Sequence, residues 1–475
     1  MYKLIRKVVL FIIITGGFIG CSYIRTTPTS YDVSYTKPPE TDDGWRTAEI
    51  SDVGLDPSQI NRLLSDIHQG ALKNIYAVMI VKDGLLVVDE YFNGADRTNI
   101  LPIASTTKSL VSLLVGIALD ESISNKSVDS PLREFFPSYA DLFTSQEKRS
   151  ITLYHVLTMT AGLDWDESTF PHPDERNPNT KMYQVDDPIH FILNTKSHSP
   201  PGKHWNYNSG LSVLLGEVVH NLSGEHIDVF AESHLFDPLK FTRYQWNKSE
   251  NGTLWSNGDL YIRPRDLAKV GQLVLNEGKW NGQQIVSTKW IKESTQFKTR
   301  ARYGCSYGYQ WWLGSARYTE RRLDVIFGSG TGGQKLFIIP EVNMVVVVMS
   351  KVFGNKGGQE RATKVLTEYV LPASLPESDH AFSRFDATFA NRVIGKYYNP
   401  TDNITFRIVK SEDALYARPI FFSQFEIKRL SNNTFYGYWG SIGDIYVDFI
   451  DDKKGDIVAA KVDYLLGTSS FRKVD

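Results

Sequence analysis

Leu101-Pro102-Ile103-Ala104-Ser105-Thr106-Thr107-Lys108-Ser109-Leu110 opens a strongly apolar helix that continues through Val111, Leu113, Leu114, Val115, Ile117 and Leu119. Residues three apart share a helix face, so the Lys108 amine can reach the Ser105 hydroxyl. Burial of Lys108 would favour its neutral form and let it accept or relay a proton. A serine at a helix start also has a backbone N–H aimed at developing negative charge. The same Ser-x-x-Lys spacing recurs at Ser34 to Lys37, Ser145 to Lys148 and Ser470 to Lys473. The spacing alone fits an ordinary N-cap, so context decides. Only Ser105 combines a helix start with a helix apolar enough to be central.

Two further stretches lie downstream. Pro201-Gly202-Lys203-His204-Trp205-Asn206-Tyr207-Asn208-Ser209-Gly210 leads into Leu211, Val213, Leu214, Leu215, Val218 and Val219 at helical spacing. A tyrosine on a turn before a helix can bring a phenol beside a nucleophile, although one turn-capping Tyr would look the same. Tyr91-Phe92-Asn93 and Tyr397-Tyr398-Asn399 fit a Tyr-x-Asn triplet but lie in the wrong contexts. Gly328-Ser329-Gly330-Thr331-Gly332-Gly333-Gln334 sits between the strand-like runs Leu323 to Phe327 and Leu336 to Ile339. Glycines at a strand permit close approach of a ligand, and their N–H groups can bind a carbonyl oxygen. A flexible turn is the plainer alternative.

Working outward, Asp56-Pro57 reads as an N-cap with a first-turn proline, followed by Ile60, Leu63, Leu64 and Ile67 at helical spacing. Ala77 to Val81 and Leu85 to Phe92 read as a hairpin around Lys82-Asp83-Gly84. Helical patterns dominate from about 105 to 290, strand character returns from Leu323 to Met349, and Gln359 to Val370 reads as a closing helix. This order implies one sheet built from both ends of a domain, with an inserted helical layer. After Pro376 short β-rich stretches recur, at Phe406 to Val409, Phe435 to Trp439, Ile445 to Ile450 and Ile457 to Tyr464. They predict a separate small β-domain over 385–475.

The N-terminus carries Lys3, Arg6 and Lys7, then an apolar run from Val8 to Ile14, then small residues before Cys21. That order is a secretory signal over 1–20, with an apolar run too short to span a membrane. Phe18-Ile19-Gly20-Cys21 resembles a bacterial lipobox, which would make Cys21 the lipidated first residue of the mature chain. A Thr-, Pro- and Ser-rich tether over 21–50 then joins lipid to a folded body over 51–376. The resulting expectation is a bacterial cell-envelope location, facing the periplasm from the outer membrane. Lipidation leaves Cys305 as the remaining thiol, so no internal disulfide is available. No activating base lies near Cys305 in sequence, and we read it as small packing.

Composition narrows the partners. The 475 residues are 41% hydrophobic and 22% charged, with 52 basic against 54 acidic side chains. This balance gives no electrostatic reason to expect nucleic acid. The ten histidines show no HExxH and no metal-like pairing, so no metal or organic cofactor is expected. His204 reads as solvent-facing or structural. Trp165, Trp205, Tyr309, Trp311 and Trp312 could shape an apolar pocket or fill the core. Gly304-Cys305-Ser306-Tyr307-Gly308 spells a nucleophile elbow, but lacks a buried strand before it and a helix after it.

Taken together and in this order, the Ser105, Tyr207 and Gly328–Gln334 stretches resemble the three motifs of the serine β-lactamase and penicillin-recognising family, most closely its class C-like esterase and amide-hydrolase branch. Leu157-Thr158-Met159-Thr160-Ala161-Gly162-Leu163, Tyr261-Ile262-Arg263-Pro264-Arg265-Asp266-Leu267-Ala268 and Tyr307-Gly308-Tyr309-Gln310-Trp311-Trp312 add to the resemblance, which covers about residues 50 to 370. It implies an α/β (α+β) fold, with a mainly antiparallel sheet flanked by helices, a helical subdomain, and a C-terminal β-domain like the lipocalin-like appendages of relatives. By the same resemblance Ser105 attacks an ester or amide carbonyl, Lys108 with Tyr207 takes its proton, and an acyl-enzyme forms. The oxyanion hole would use the N–H of Ser105 and that of Gln334, with Gly333 next, and Ser209, Thr331, Gly332 and Gly333 would contact substrate.

Two departures bear on the substrate. Ser209 stands where the family usually has Asn, and Thr331 replaces the Lys or His that opens the third motif in many relatives. The loss of that cation removes a partner for a substrate carboxylate, which favours a small ester or amide over a β-lactam or a D-alanyl peptide. D-alanyl peptidase or β-lactamase action is the alternative reaction. A catalytically silent surface binding protein is the alternative class, and the joint presence of Ser105, Lys108 and Tyr207 argues against it.

Overall fold

The computed structural model describes residues 35–474 except 303, 319–320, 356, 376–385, 402, 412–413, 420–423, 431–432, 440–442 and 465–466. The expected signal peptide, Cys21 and the first part of the tether lie outside the described residues.

Helix α1 (Pro57–His68) starts where the Asp-Pro pair predicts. Asp56 accepts from the Ser58 N–H, and Ile60, Leu63, Leu64 and Ile67 turn inward. Strands β1 (Ile75–Lys82) and β2 (Leu85–Tyr91) form the expected hairpin. Asp83 and Gly84 join them with φ of 54° and 78°, the two-residue geometry whose twist matches the flanking strands.

Helix α2 (Thr107–Glu121) is buried on every face as far as Ala118. It passes beneath Trp290 because residue 116 is glycine, where a Cβ would come within 2.4 Å of the indole. Helix α3 (Ser209–Ser223) packs beside it, capped by Asn208, whose side chain accepts from the Leu211 N–H. Helix α4 (Pro264–Leu275) lies on the sheet with Gly271 against Val345 and Leu336.

The sheet is completed by β3 (Thr299–Arg300), β4 (Ser306–Tyr307), β5 (Trp312–Tyr318), β6 (Arg321–Gly330), β7 (Gln334–Ile339) and β8 (Met344–Ser350). Its order is β2-β1-β8-β7-β6-β5-β4-β3, antiparallel at every pairing. The two ends of the domain thus meet at the β1–β8 pair, and helix α5 (Gly358–Lys364) follows.

After helix α6 (Ala387–Val393), eight strands close into a barrel: β9 (Gly395–Asn399), β10 (Ile404–Ser411), β11 (Ala414–Pro419), β12 (Phe425–Arg429), β13 (Thr434–Trp439), β14 (Gly443–Asp451), β15 (Ile457–Tyr464) and β16 (Gly467–Lys473). Phe389, Ala390 and Val393 of α6 join Tyr397, Phe406, Phe435, Phe449 and Phe471 in one apolar core. Closure leaves no unpaired edge.

The C-terminal part of the expected tether is not an extended linker. Trp45 is 4% exposed, and its indole N–H donates to the Arg265 oxygen at 3.2 Å. Arg265 Nε donates to Asp43 and Arg265 Nη1 to Asp89, each at 2.7 Å. Burial alone would raise the Asp43 carboxyl, but the Arg265 guanidinium outweighs it and holds the group down at about 2. A polar, aperiodic segment concealed one aromatic anchor and one carboxylate, whose partners lie more than two hundred residues away.

Candidate active site

Ser105 occupies a single 3-10 turn (Ala104–Thr106) that runs directly into α2. The preceding Ala104 has φ of 47°, a conformation that costs a non-glycine residue on the order of 1 kcal/mol and is held by its surroundings. Thr107 Oγ1 donates to the Ala104 oxygen at 2.7 Å and ties this turn to the helix.

One turn along the helix, Lys108 is 2% exposed. Its Nζ lies 3.0 Å from Ser105 Oγ and donates to the backbone oxygen of Asn257 at 2.5 Å. The same nitrogen stands 5.1 Å from the centre of the Tyr207 ring. The Ser105, Lys108 and Tyr207 side chains, 102 positions apart at the extremes, thus surround one amine. No hydrogen bond joins the Tyr207 phenol to Ser105 among the described residues.

Tyr207 stacks on Trp312, with ring centres 6.0 Å apart, and Trp205 and Tyr307 pack edge-on against Trp312. Of the aromatics expected to choose between pocket and core, Trp165, Tyr309 and Trp311 are buried in the core, while Trp205 and Trp312 adjoin Tyr207. His204 is exposed. Gln310, 1% exposed, knots the pieces together. It accepts from Ser109 and Ser212 and donates to the Leu157 oxygen, so α2, α3 and the Leu157–Leu163 stretch share one polar centre.

The glycine strand approaches from the other side, but not through the residues expected. Alternate strand positions face one way, and it is Gly328 and Gly330 that meet the serine turn. A Cβ at Gly330 would lie 2.4 Å from the Ile103 oxygen, and one at Gly328 2.6 Å from Thr106. Gly332 and Gly333 have φ of 83° and 101° and abut Lys351–Val352 and Gly358 instead. They make the turn between β6 and β7. Gln334 lies beyond that turn, and its buried amide clasps the Ser350 backbone in both directions, at 2.6 and 3.1 Å. Thr331 is exposed and follows Gly330 directly.

Ser209 is 4% exposed, and its hydroxyl donates to Glu167 Oε1 at 2.9 Å, while its N–H donates to Oε2. Its hydroxyl is therefore committed to the protein. Glu167 also accepts from the Trp165 indole at 2.7 Å. Cys305 is buried and its thiol is pushed up to about 12 by that burial, in keeping with packing. Ser306 begins a strand of only two residues, paired on both sides and with no helix after it, so the elbow pattern forms no elbow.

Several neighbours of the site carried little signal in the sequence. Asn257 contributes a backbone oxygen, which no motif marks. Burial raises the Asp259 carboxyl beside it, against the opposing effect of Tyr183 and Lys108. Lys335 breaks an otherwise apolar strand, which was a readable anomaly. Burial lowers its amine to about 8, and it donates to Ser329 Oγ at 2.9 Å. Ser329 contacts Gln359, which donates to the Gly330 oxygen. Among the described residues no group of acidic, His or Cys side chains could hold a metal ion.

Residues 71–369 match the Beta-lactamase family model. A 6-aminohexanoate-dimer hydrolase of Paenarthrobacter ureafaciens is 24% identical over 309 residues, covering 60% of this chain and 75% of that protein. A penicillin-binding protein homologue from Caulobacter crescentus superposes with a TM-score of 0.53 at 18% identity, over 68% of this chain and 99% of its own. The octameric penicillin-binding protein homologue from Pyrococcus abyssi superposes at 0.50 and 18% identity, over 88% of this chain and 99% of its own. With Ser105 and Tyr207 beside Lys108, the glycine strand against the serine turn, and a family match across most of the chain, this protein belongs to the Beta-lactamase family of hydrolases.

Proposed function

We propose that Ser105 is the nucleophile of a serine hydrolase that cleaves a small ester or amide through an acyl-enzyme intermediate. The observation that carries this reading is the 3.0 Å contact between Lys108 Nζ and Ser105 Oγ at the start of a buried helix. In its unprotonated form Lys108 keeps one N–H on the Asn257 oxygen and turns its lone pair to the Ser105 hydroxyl. The Ser105 proton passes to Lys108, with Tyr207 as the next carrier toward the leaving group. The Ser105 oxygen bonds to the substrate carbonyl carbon, the leaving group departs with a proton, and water then releases the acid.

For the oxyanion we take the N–H of Ser105 and, in place of Gln334, the N–H of Thr331. Gly330 is the strand residue against the serine turn, and neither N–H donates elsewhere among the described residues. Removing one such donor typically costs about 10²–10³ in rate. A relative named for hydrolysing the 6-aminohexanoate dimer supports an amide or ester substrate. Comparing turnover of a nitrophenyl ester, a linear amide and a chromogenic cephalosporin tests the substrate class. Ester or amide turnover well above cephalosporin turnover is expected, and the reverse order overturns it.

We further infer that Cys21 is lipidated and holds the enzyme to the bacterial envelope, facing the periplasm. The basic, apolar and small-residue order before Cys21 supports this, and no helix among the described residues is long and apolar enough to cross a membrane. Metabolic labelling with a fatty-acid analogue should mark the wild type and not Cys21→Ala. Equal labelling of both contradicts it.

A further inference from the structure

The C-terminal barrel touches the hydrolase at a turn that also touches the active site. Resting on the reading of Ser105 and Tyr207 above, we propose that the barrel strands β15 and β16 are a positioning element for catalysis, acting through Gly304 on Arg302 and so on Tyr207.

The chain of contacts is short. On the barrel, Asp463 of β15 is 4% exposed. It receives Arg317 of β5 at 3.3 Å and Arg322 of β6 at 2.9 Å, so two strands of the catalytic sheet hold one barrel carboxylate. Thr468 of β16 donates to that carboxylate at 2.6 Å and receives Arg322 as well. The Thr468 N–H then donates to the Gly304 oxygen at 3.3 Å. Gly304 has φ of 67°, and a Cβ there would lie 2.4 Å from the Thr468 oxygen. Glycine is required at 304 both by its conformation and by the approach of the barrel backbone.

Gly304 belongs to a tight turn closed by Cys305 N–H to the Arg302 oxygen at 3.2 Å and Ala301 N–H to the Cys305 oxygen at 3.0 Å. These two bonds tie Arg302 to Cys305, the neighbour of Gly304. On its other side the Arg302 guanidinium lies 5.4 Å from the centre of the Tyr207 ring and 5.9 Å from that of Trp205. A cation at this distance from a phenol ring is attracted to it electrostatically and biases where the ring rests. A cavity of about 500 Å³, lined in part by Gly304, Ser306, Ser315, Arg322 and Thr468, lies beside the junction. Directed bonds thus link the barrel to the turn that carries Arg302.

The test is a double-mutant cycle in the full-length protein with Asp463→Asn and Arg302→Ala, read as kcat/KM and its pH profile on a nitrophenyl ester. Each single variant should lose about tenfold, and the double should lose no more than the worse single, because both act on one turn. Arg302→Lys should recover part of the loss. Multiplying losses of about 100-fold in the double, or full activity in Asp463→Asn, overturns the proposal. Should Asp463→Asn fail to fold, Thr468→Val replaces it in the same cycle, which removes the Thr468 hydroxyl from Asp463 and Arg322 but leaves the ion pairs of Asp463 with Arg317 and Arg322, with the same two outcomes. Labelling by a small fluorophosphonate is measured alongside. Its absence from the wild type would refute Ser105 as nucleophile, whereas retained labelling with a multiplicative cycle refutes only the role of the barrel.

Discussion

Lys108 Nζ donates to the backbone oxygen of Asn257 at 2.5 Å. That bond aims the rest of the amine at Ser105, and Asn257 is itself held by Tyr183 and Asn179. Replacing Lys108 by Met should lower kcat by about 10²–10⁴ with little change in melting temperature. Lys108→Arg should not recover it, since a guanidinium does not give up its proton. Steady-state kinetics check this, and a Met variant within twofold of wild type contradicts it.

Tyr207→Phe keeps the ring stacked on Trp312 and removes only the phenol oxygen. A loss of about 10²–10⁴ in kcat is expected, and combining it with Lys108→Met should add little, because the two serve one proton transfer. Full additivity would place the phenol outside that step.

Ser209→Ala should behave as a stability change. It deletes the 2.9 Å bond to Glu167 Oε1, worth about 1.5–3 kcal/mol for a bond to a charged acceptor. Thermal unfolding should fall while KM moves little. A raised KM at unchanged stability would restore the substrate-contacting role that its motif position suggests.

What the sequence made legible here is local. The Asp56-Pro57 cap, the Asp83-Gly84 turn and the apolar run of α2 each announce their element within a few residues. Ser105 and Lys108 are likewise one helical turn apart, so spacing alone could pair them. The rest depended on contacts across long stretches. Closure of the barrel needs β9 to meet β16, and the docking of Asp43 needs Arg265. Which glycines face the serine turn follows from the strand register, and this moves the contact from Gly332 and Gly333 to Gly328 and Gly330. The proposal of Thr331 as oxyanion donor follows from that register.

Glu90 gives a pH-dependent prediction. Burial, helped by the neighbouring Asp89 charge and opposed by Arg97, raises its carboxyl from 4.5 to about 7. The folded state therefore binds a proton that the unfolded chain has released between these values. Stability contributed by this group is greatest below about 4.5 and is lost as pH rises through 7. Glu90→Gln should leave stability nearly unchanged at pH 4.5 and raise it at pH 8, by on the order of 1 kcal/mol after discounting its partial exposure. Denaturant titrations at the two pH values check the sign.

The most direct measurement traps the covalent intermediate. Wild-type protein is quenched in acid during turnover of a nitrophenyl ester, and its intact mass and peptide map are recorded beside those of Ser105→Ala. One acyl group is expected, on the peptide containing Ser105, and none on the folded variant. An acyl group on any other residue, or hydrolysis undiminished in Ser105→Ala, would contradict it.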